Sequence, residues 1–318
     1  MKKELLRILT EYLVKGYIVG FDRDIINNKI KVYVRHSDDI RAYSLMSELE
    51  GVSVEYVTVG EFKLIDGSAT ENRGKFRPLR PGASIGLINW GTGTLTGAFK
   101  DRRGNIYIAS NAHVFVRDPR KCPYEISKEY IIQPGYHDGG TLKDIVGHYV
   151  WHQPIATIKK PISCCKISKA ISSLFNKISE ILGRRTYFEA RQAPINYVDF
   201  AVARPYVDID NVPIGLNLER YEMVGVGFAG SDVASLIINI YNILQAGYEP
   251  MFFKPSQVEA NDIVVKTGRT TGVTRAKVIS PSIIASVRIG DDTAIFADVI
   301  LTTRMLEPGD SGSPVFLE

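Results

Sequence analysis

Apolar positions change period several times along the first 66 residues. In MKKELLRILTEYLVKGY, Leu5, Leu6, Leu9, Leu13 and Val14 keep a helical spacing. YIVGF and KIKVYVR then alternate as strands do, separated by the turn chemistry of Asn27-Asn28. A second helix is predicted over DDIRAYSLMSELEG. It opens on acidic residues that suit a helix N-terminus and stops at Gly51. VSVEYVTVG follows as a period-2 strand. Residues 1–66 are therefore expected to form a small α/β domain. Residues 67–82, DGSATENRGKFRPLRP, are polar, basic and turn-rich and read as a linker.

From Ala83 the pattern becomes short strands about every eight to twelve residues, punctuated by Gly, Pro and Asp, as in a sandwich or barrel. IVGHYVWHQ reads as one of them. Two helical stretches interrupt. Over 162–182, Ile167, Ile171, Leu174, Phe175, Ile178, Ile181 and Leu182 share a face, with Lys166, Lys169, Lys177 and Arg184 elsewhere. Membrane-surface helices carry that pattern. Such stripes are more often core, so a helix docked on its own barrel is expected. The second stretch, SDVASLIINIYNILQ over 232–246, starts on Ser/Asp and stops at Gly247. The expected division is a first barrel over 83–210, with a helical insertion at 156–193, and a second over 211–318.

Composition fits an ordinary globular chain: 318 residues, 45% hydrophobic and 23% charged. Lys+Arg is 39 against 35 Asp+Glu, a net charge of +4 that gives no reason to expect a nucleic-acid partner. No apolar run approaches the roughly 18–20 uncharged residues of a membrane helix, so no stable membrane insertion is expected. The basic N-terminus is broken by Arg7 and Glu11 and lacks a small-residue cleavage site, so an intracellular, cytoplasmic location is expected. Three cysteines, Cys122, Cys164 and Cys165, make no disulfide framework. Either vicinal cysteine is able to reach Cys122, but three reduced thiols are the expectation.

The strongest chemical signal is Gly309-Asp310-Ser311-Gly312-Ser313-Pro314. A serine hydroxyl needs a base to take its proton and amides to hold an oxyanion. A Gly-x-Ser-Gly turn exposes the hydroxyl and lets the amides of Gly309 and Ser311 point at one spot. Ser110-Asn111-Ala112-His113-Val114 follows the alternating strand NIYIAS, with small residues that leave room for the imidazole. Asp199 is the one acid in the apolar stretch Val198-Asp199-Phe200-Ala201-Val202-Ala203, and a buried carboxylate needs a partner. His113 is the candidate partner, while Asp138 and Asp144 compete for Asp199's role. The order His, Asp, Ser is that of the chymotrypsin arrangement. GTGTLTG lacks the spacing and lysine of a phosphate loop and reads as a strand. His148 and His152 have metal-like spacing, but ligand number and type fall short, so no metal and no cofactor are expected.

SNAHV, VDFAVA and PGDSGSP resemble the His, Asp and Ser boxes of trypsin-like serine peptidases. Lys266-Thr267-Gly268-Arg269-Thr270-Thr271-Gly272 resembles the hairpin of streptogrisin-like enzymes. The closest resemblance is to the bacterial and archaeal group that includes the plant Narrow Leaf protease, through Thr92-Gly93-Thr94-Leu95, the QPGYHDGG loop at 133–140 and Glu307-Pro308-Gly309. The resemblance implies a mainly β protein: two six-stranded antiparallel β-barrels of chymotrypsin type behind a small N-terminal α/β domain. It implies a serine endopeptidase acting on protein or peptide through an acyl-enzyme, with His113, Asp199 and Ser311 as the triad. It places Met305 and Leu306 at the primary pocket. In trypsin-like enzymes Asp310's counterpart often pairs with a freed N-terminal amine, a route that a whole domain before the barrel puts in doubt here.

The chain stops at Glu318, seven residues after Ser311, where related chains continue into a strand and a helix. EMVGVGFAGSD at 222–232 and the stretch after it resemble those missing pieces. A truncated protease domain is the plain alternative; a circularly permuted second barrel is expected, with 315–317 antiparallel to 223–227 and Phe228, Ala229 and Gly230 offering backbone to the substrate. A catalytically silent protease-fold module used for binding or assembly is the alternative, an esterase shares the chemistry, and a homo-oligomer stays open.

Overall fold

The computed structural model describes residues 2–22, 29–38, 49, 52–64, 72–159, 164, 176–177 and 195–318. The N-terminal part holds α1 (Lys2–Val14), β1 (Gly20–Asp22), β2 (Lys29–Val34), β3 (Ser53–Thr58) and β4 (Lys63–Leu64). The middle holds β5 (Ser84–Leu87), β6 (Thr92–Thr94), β7 (Gly97–Asp101), β8 (Ile106–Ser110), α2 (Ala112–Phe115), β9 (Tyr130–Ile132), β10 (Ile145–His152), β11 (Ile195–Asn196) and β12 (Ala201–Pro205). The last part holds β13 (Glu222–Gly230), β14 (Ala234–Asn239), α3 (Ile240–Gln245), β15 (Tyr248–Pro250), β16 (Lys254–Pro255), β17 (Ile263–Gly268), β18 (Gly272–Ile289), β19 (Asp292–Thr303) and β20 (Pro314–Leu317). The protein is mainly β and is built on two sheets.

The first sheet has eight strands in the order β15-β7-β8-β12-β10-β9-β5-β6. In the second, six strands pair in a ring: β18, β19, β14, β13, β20, β17 and back to β18. β20 runs antiparallel to β13, with Met223 opposite Phe316, and Gly227 exchanges backbone hydrogen bonds with Gly312 and Ser313. The expected neighbourhood of 315–317 and 223–227 is present.

Neighbouring residues of the ring strands enter different apolar clusters, as a period of two requires. Val226, Phe228, Leu236, Val265, Leu301 and Phe316 share a core with Phe99, Phe200 and Val202 of the first half and with Val59 and Phe62 of the N-terminal part. Val224, Ile237, Val264, Ile300 and Val315 pack instead with Met305 and Leu306. Leu5, Leu9, Tyr12 and Leu13 bury α1 against Phe21, Val32 and Val34. Leu6 and Val14, expected on that face, are exposed.

Two expectations are corrected, the helix over 232–246 and the reduced cysteines. β1 pairs antiparallel with β18, Gly20 opposite Ala285, so β1, β2 and β3 extend the second sheet. The expected helix over 232–246 is strand β14 followed by the short α3, because Leu236 and Ile238 are drawn into a core between β13 and β19. Asn72 and the residues after it are docked, not loose. Asn72 Nδ2 donates to Thr267 Oγ1 at 3.1 Å, and Arg77 Nη1 donates to Gln133 Oε1 at 2.5 Å. Cys122 and Cys164 form a disulfide where reduced thiols were expected, because the fold brings their Cα atoms to 5.5 Å. The predicted helix over 162–182 and most of the one over 38–51 lie outside the described residues.

The disulfide closes a loop with a sequence separation of 42 residues. Cys122→Ser is expected to lower stability by about 2–4 kcal/mol. An unchanged urea midpoint would show that the cross-link restrains neither state.

Candidate active site

β8 delivers its chain end to a single helical turn. Asn111 precedes α2, and His113 sits in that turn on a buried base of Ala112, Val114 and Phe115. Asp199 lies just before β12, which pairs with β8 through Ala201 and Ser110. The pairing carries the carboxylate under the imidazole. His113 Nδ1 lies 2.5 Å from Asp199 Oδ2, and Asp199 Oδ1 accepts the Ala112 amide at 2.7 Å. Asn111 Nδ2 donates to the Asp199 carbonyl at 2.7 Å, fixing the backbone as well. Asp199 is fully buried, and these bonds offset its desolvation.

Ser311 arrives from the second sheet in the turn before β20. Both sheets hold that turn. From the first, the Thr94 amide donates to the Ser311 carbonyl at 2.7 Å, Thr94 Oγ1 donates to the Gly309 carbonyl at 3.0 Å, and Thr96 Oγ1 donates to the Gly312 carbonyl at 2.8 Å. From the second, the Gly312 amide donates to the Gly227 carbonyl at 2.9 Å. Gly312 has φ +94°, and a Cβ there would stand 2.1 Å from Thr94 O and 2.3 Å from Ser110 Oγ, so only glycine fits. A Cβ on Gly93 would meet Val114 Cγ2 at 2.6 Å and Ser311 O at 2.7 Å. The histidine-bearing and serine-bearing segments therefore abut on this glycine.

Asp310, beside Ser311, is fully buried and ionically paired. Lys266 Nζ donates to its Oδ2 at 2.9 Å, and neither side chain is exposed. Thr271 Oγ1 donates to the same oxygen at 2.6 Å, and the amides of Thr270 and Thr271 donate to Oδ1 at 2.9 and 3.2 Å. Gly268 must be glycine here, since a Cβ would lie 2.4 Å from Asp310 Oδ1.

The competing acids are engaged elsewhere. Arg269 grips Asp138 with two nitrogens, Nε at 2.5 Å and Nη2 at 2.8 Å, and Ser84 Oγ donates to it at 2.5 Å. Burial alone would raise the Asp138 carboxyl. Arg269, Ser84 and Arg73 together outweigh it and hold Asp138 below its ordinary value. Asp144 accepts from Lys75 Nζ at 2.7 Å and from Thr141.

The remaining expected residues divide. Leu306 borders a cleft of about 770 Å³ together with Pro308, Arg304, Gly230, Ser231 and Asp232. Met305 is enclosed in the core behind it. Phe228 turns into the larger core against Phe296, ring centroids 4.8 Å apart. Ala229 and Gly230 do not face open solvent with their backbone: β4 pairs with them. His148 and His152 both lie on β10, four residues or about 13 Å apart along a strand, too far to share one ion. His152 Nδ1 meets Tyr149 Oη at 2.7 Å, and its Nε2 lies 3.1 Å from the Lys121 carbonyl. Among the described residues, no group of three or more His, Cys, Asp or Glu is placed to hold a metal ion. Sequence reasoning missed the roles of Thr94, Asn111, Lys266 and Arg269. Only the Thr92–Leu95 and KTGRTTG stretches pointed at them.

No family model matches the chain, and no curated protein is significantly similar to it.

The buried charges generate two expected outcomes. Lys266→Met strands the Asp310 carboxylate and is expected to cost about 3–5 kcal/mol, read by denaturant unfolding. Burial pushes His152 below its ordinary imidazole value of 6.5. Its contribution to stability is full above pH 6.5 and is lost as the pH falls below it. Asp138 adds a second loss as its carboxyl protonates, below its ordinary 3.8. His152→Gln should shrink the first decline, leaving the part due to His148, which burial also pushes down, and keep the second; an unaltered profile between pH 6.5 and 4 would refute the assignment.

Proposed function

We propose that the chain is a serine endopeptidase of chymotrypsin type, its second barrel circularly permuted, acting on protein or peptide without a cofactor. The observation that carries the reading is the His113–Asp199 contact, set where β8 and β12 abut the two-sided clamp on Ser311. Six ring-paired strands, with β20 beside β13, support the permuted barrel.

In this mechanism Ser311 Oγ attacks the scissile carbonyl. His113 takes the hydroxyl proton through Nε2 and returns it to the leaving amine. Asp199 accepts from Nδ1, fixes that tautomer and stabilises the imidazolium. The negative charge on the carbonyl oxygen falls to the amides of Gly309 and Ser311. One such donor is typically worth about 3–4 kcal/mol of barrier. Water repeats the sequence on the acyl-enzyme. The Lys266–Asp310 pair keeps the 307–311 turn in one shape, so the amides need no rearrangement. Acyl transfer to an ester substrate uses the same groups, and a peptide-against-ester panel separates the two activities.

A fluorophosphonate is expected to label the wild type and not Ser311→Ala. A folded chain in which it reaches Ser311 without reacting would favour the silent binding module instead. Ser311→Ala or His113→Ala should lower turnover by roughly four to six orders of magnitude, with non-additive double variants. Asp199→Asn should cost roughly 10⁴ through the wrong tautomer. A near wild-type rate for Asp199→Asn would remove it from the mechanism. Leu306 gives the cleft an apolar wall, so a peptide library should show apolar side chains preferred over Lys or Arg before the cut; dominant cleavage after basic residues would overturn this.

A further inference from the structure

We propose that β4 is an autoinhibitory strand: the chain's own Lys63–Leu64 fills the sheet edge beside Ser311 that an extended peptide substrate must take. The inference rests on the peptidase reading above and adds regulation to that site. β13 has two edges. One is paired with β16 at Glu222 and Met223 and with β14 from Gly225 to Gly230. The other is met in turn by Phe316 opposite Met223, by the Ser311-bearing turn at Gly227, and then by β4, with Leu64 opposite Ala229 and Lys63 opposite Gly230. β4 therefore begins where the nucleophile's own segment leaves the edge. It runs antiparallel to β13, as a peptide adding a strand there would.

The occupant is firmly anchored. The Phe62 carbonyl accepts the Arg288 amide at 2.9 Å, and Ser231 Oγ donates to the Val59 carbonyl. Phe62 and Val59 are both buried in the large core. Glu61 lies 3.1 Å from Lys63, 3.7 Å from Arg35 and 3.8 Å from Arg288. Arg35, His36, Gly60, Glu61 and Lys63 also form one wall of the 770 Å³ cleft whose other wall carries Leu306 and Pro308. A strand tethered this closely acts at an effective concentration of order millimolar, so a free peptide of ordinary affinity does not displace it. The N-terminal part, which carries no candidate nucleophile or base, gains a function: it keeps the site latent until β4 is lifted by a partner, by proteolysis or by a competing strand.

The test uses the full chain and two probes, a small fluorophosphonate and a tripeptidyl phosphonate that needs the edge. Leu64→Pro and Lys63→Pro each remove a backbone donor from β4, and Glu61→Gln loosens its anchor without touching the backbone. Each is expected to raise the ratio of tripeptidyl to small-probe labelling tenfold or more over wild type, with the proline variants strongest. Hydrogen exchange reads the edge independently of catalysis: the 229–230 amides should be protected in wild type and exposed in Leu64→Pro. Unprotected amides in wild type, or an unchanged labelling ratio in all three folded variants, would overturn the proposal. Failure of the small probe on a folded Leu64→Pro chain, with exchange behaving as expected, would instead overturn the peptidase reading and leave β4's coverage of the edge standing.

Discussion

An aspartate sealed inside a fold needs cations and hydrogen-bond donors in place of the water it has lost. Asp310 is that residue, and much of the site's geometry follows from satisfying it. Lys266, Thr270 and Thr271 must converge on its two oxygens, which fixes the turn after β17 against the 307–311 turn. Arg269, in the middle of that same turn, is thereby aimed at the first half of the chain, where Asp138, itself held by Ser84, receives it. The second buried pair is a consequence of the first. Together they tie the two sheets near the seam where the segments bearing Ser311 and His113 abut on Gly93. Replacing such pairs with apolar side chains often leaves stability unchanged or higher. What an apolar seam would lack is direction: hydrogen bonds fix the turn in a way that packing alone does not.

Ring closure supplies the other constraint. A ring of six strands leaves no free edge within itself. β13 nevertheless outruns the neighbour on one side. On that side it pairs with β20 at Met223 and with the serine turn at Gly227, then extends to Gly230, where β4 meets it. Placing β13 earlier in the chain than β17 does not disturb this, because strand pairing is indifferent to the order in which strands are synthesised. Chain ends are tolerated where few buried contacts are lost.

Much of this was legible in the sequence for a physical reason. The three boxes carry unusual residue combinations, a histidine among small residues, one acid in an apolar stretch and a serine between glycines, and the structure gathers all three segments. β2, β3 and β10 were legible because strict alternation admits few other readings. The stretch 232–246 was not. Leu236, Ile237, Ile238 and Ile240 suit a helix stripe as well as a strand, and the choice was made by long-range pairing with β13 and β19. The role of Lys266 was equally hidden, since a lysine in an apolar strand declares itself only once its partner, 44 residues away, is in place. The Cys122–Cys164 pairing is of the same kind: three cysteines define no connectivity until the fold chooses.

The N-terminal part shows what composition does not disclose about a segment's neighbours. Its helix and strands have their own core, so texture alone separates 1–66 from the rest of the chain. Edges, however, are not visible in composition. β1 has an unpaired side until β18, lengthened well past the ring, offers one. Once β1 is joined there, the chain is carried back along the same face, and Phe62 reaches Arg288 only three residues beyond Ala285. From that point β4 spans from β18 to the end of β13, two strands that are not neighbours in the ring. One pairing thus leads to the next: with β1 joined to β18, β4 reaches Ala229 and Gly230 of β13, beside the serine turn.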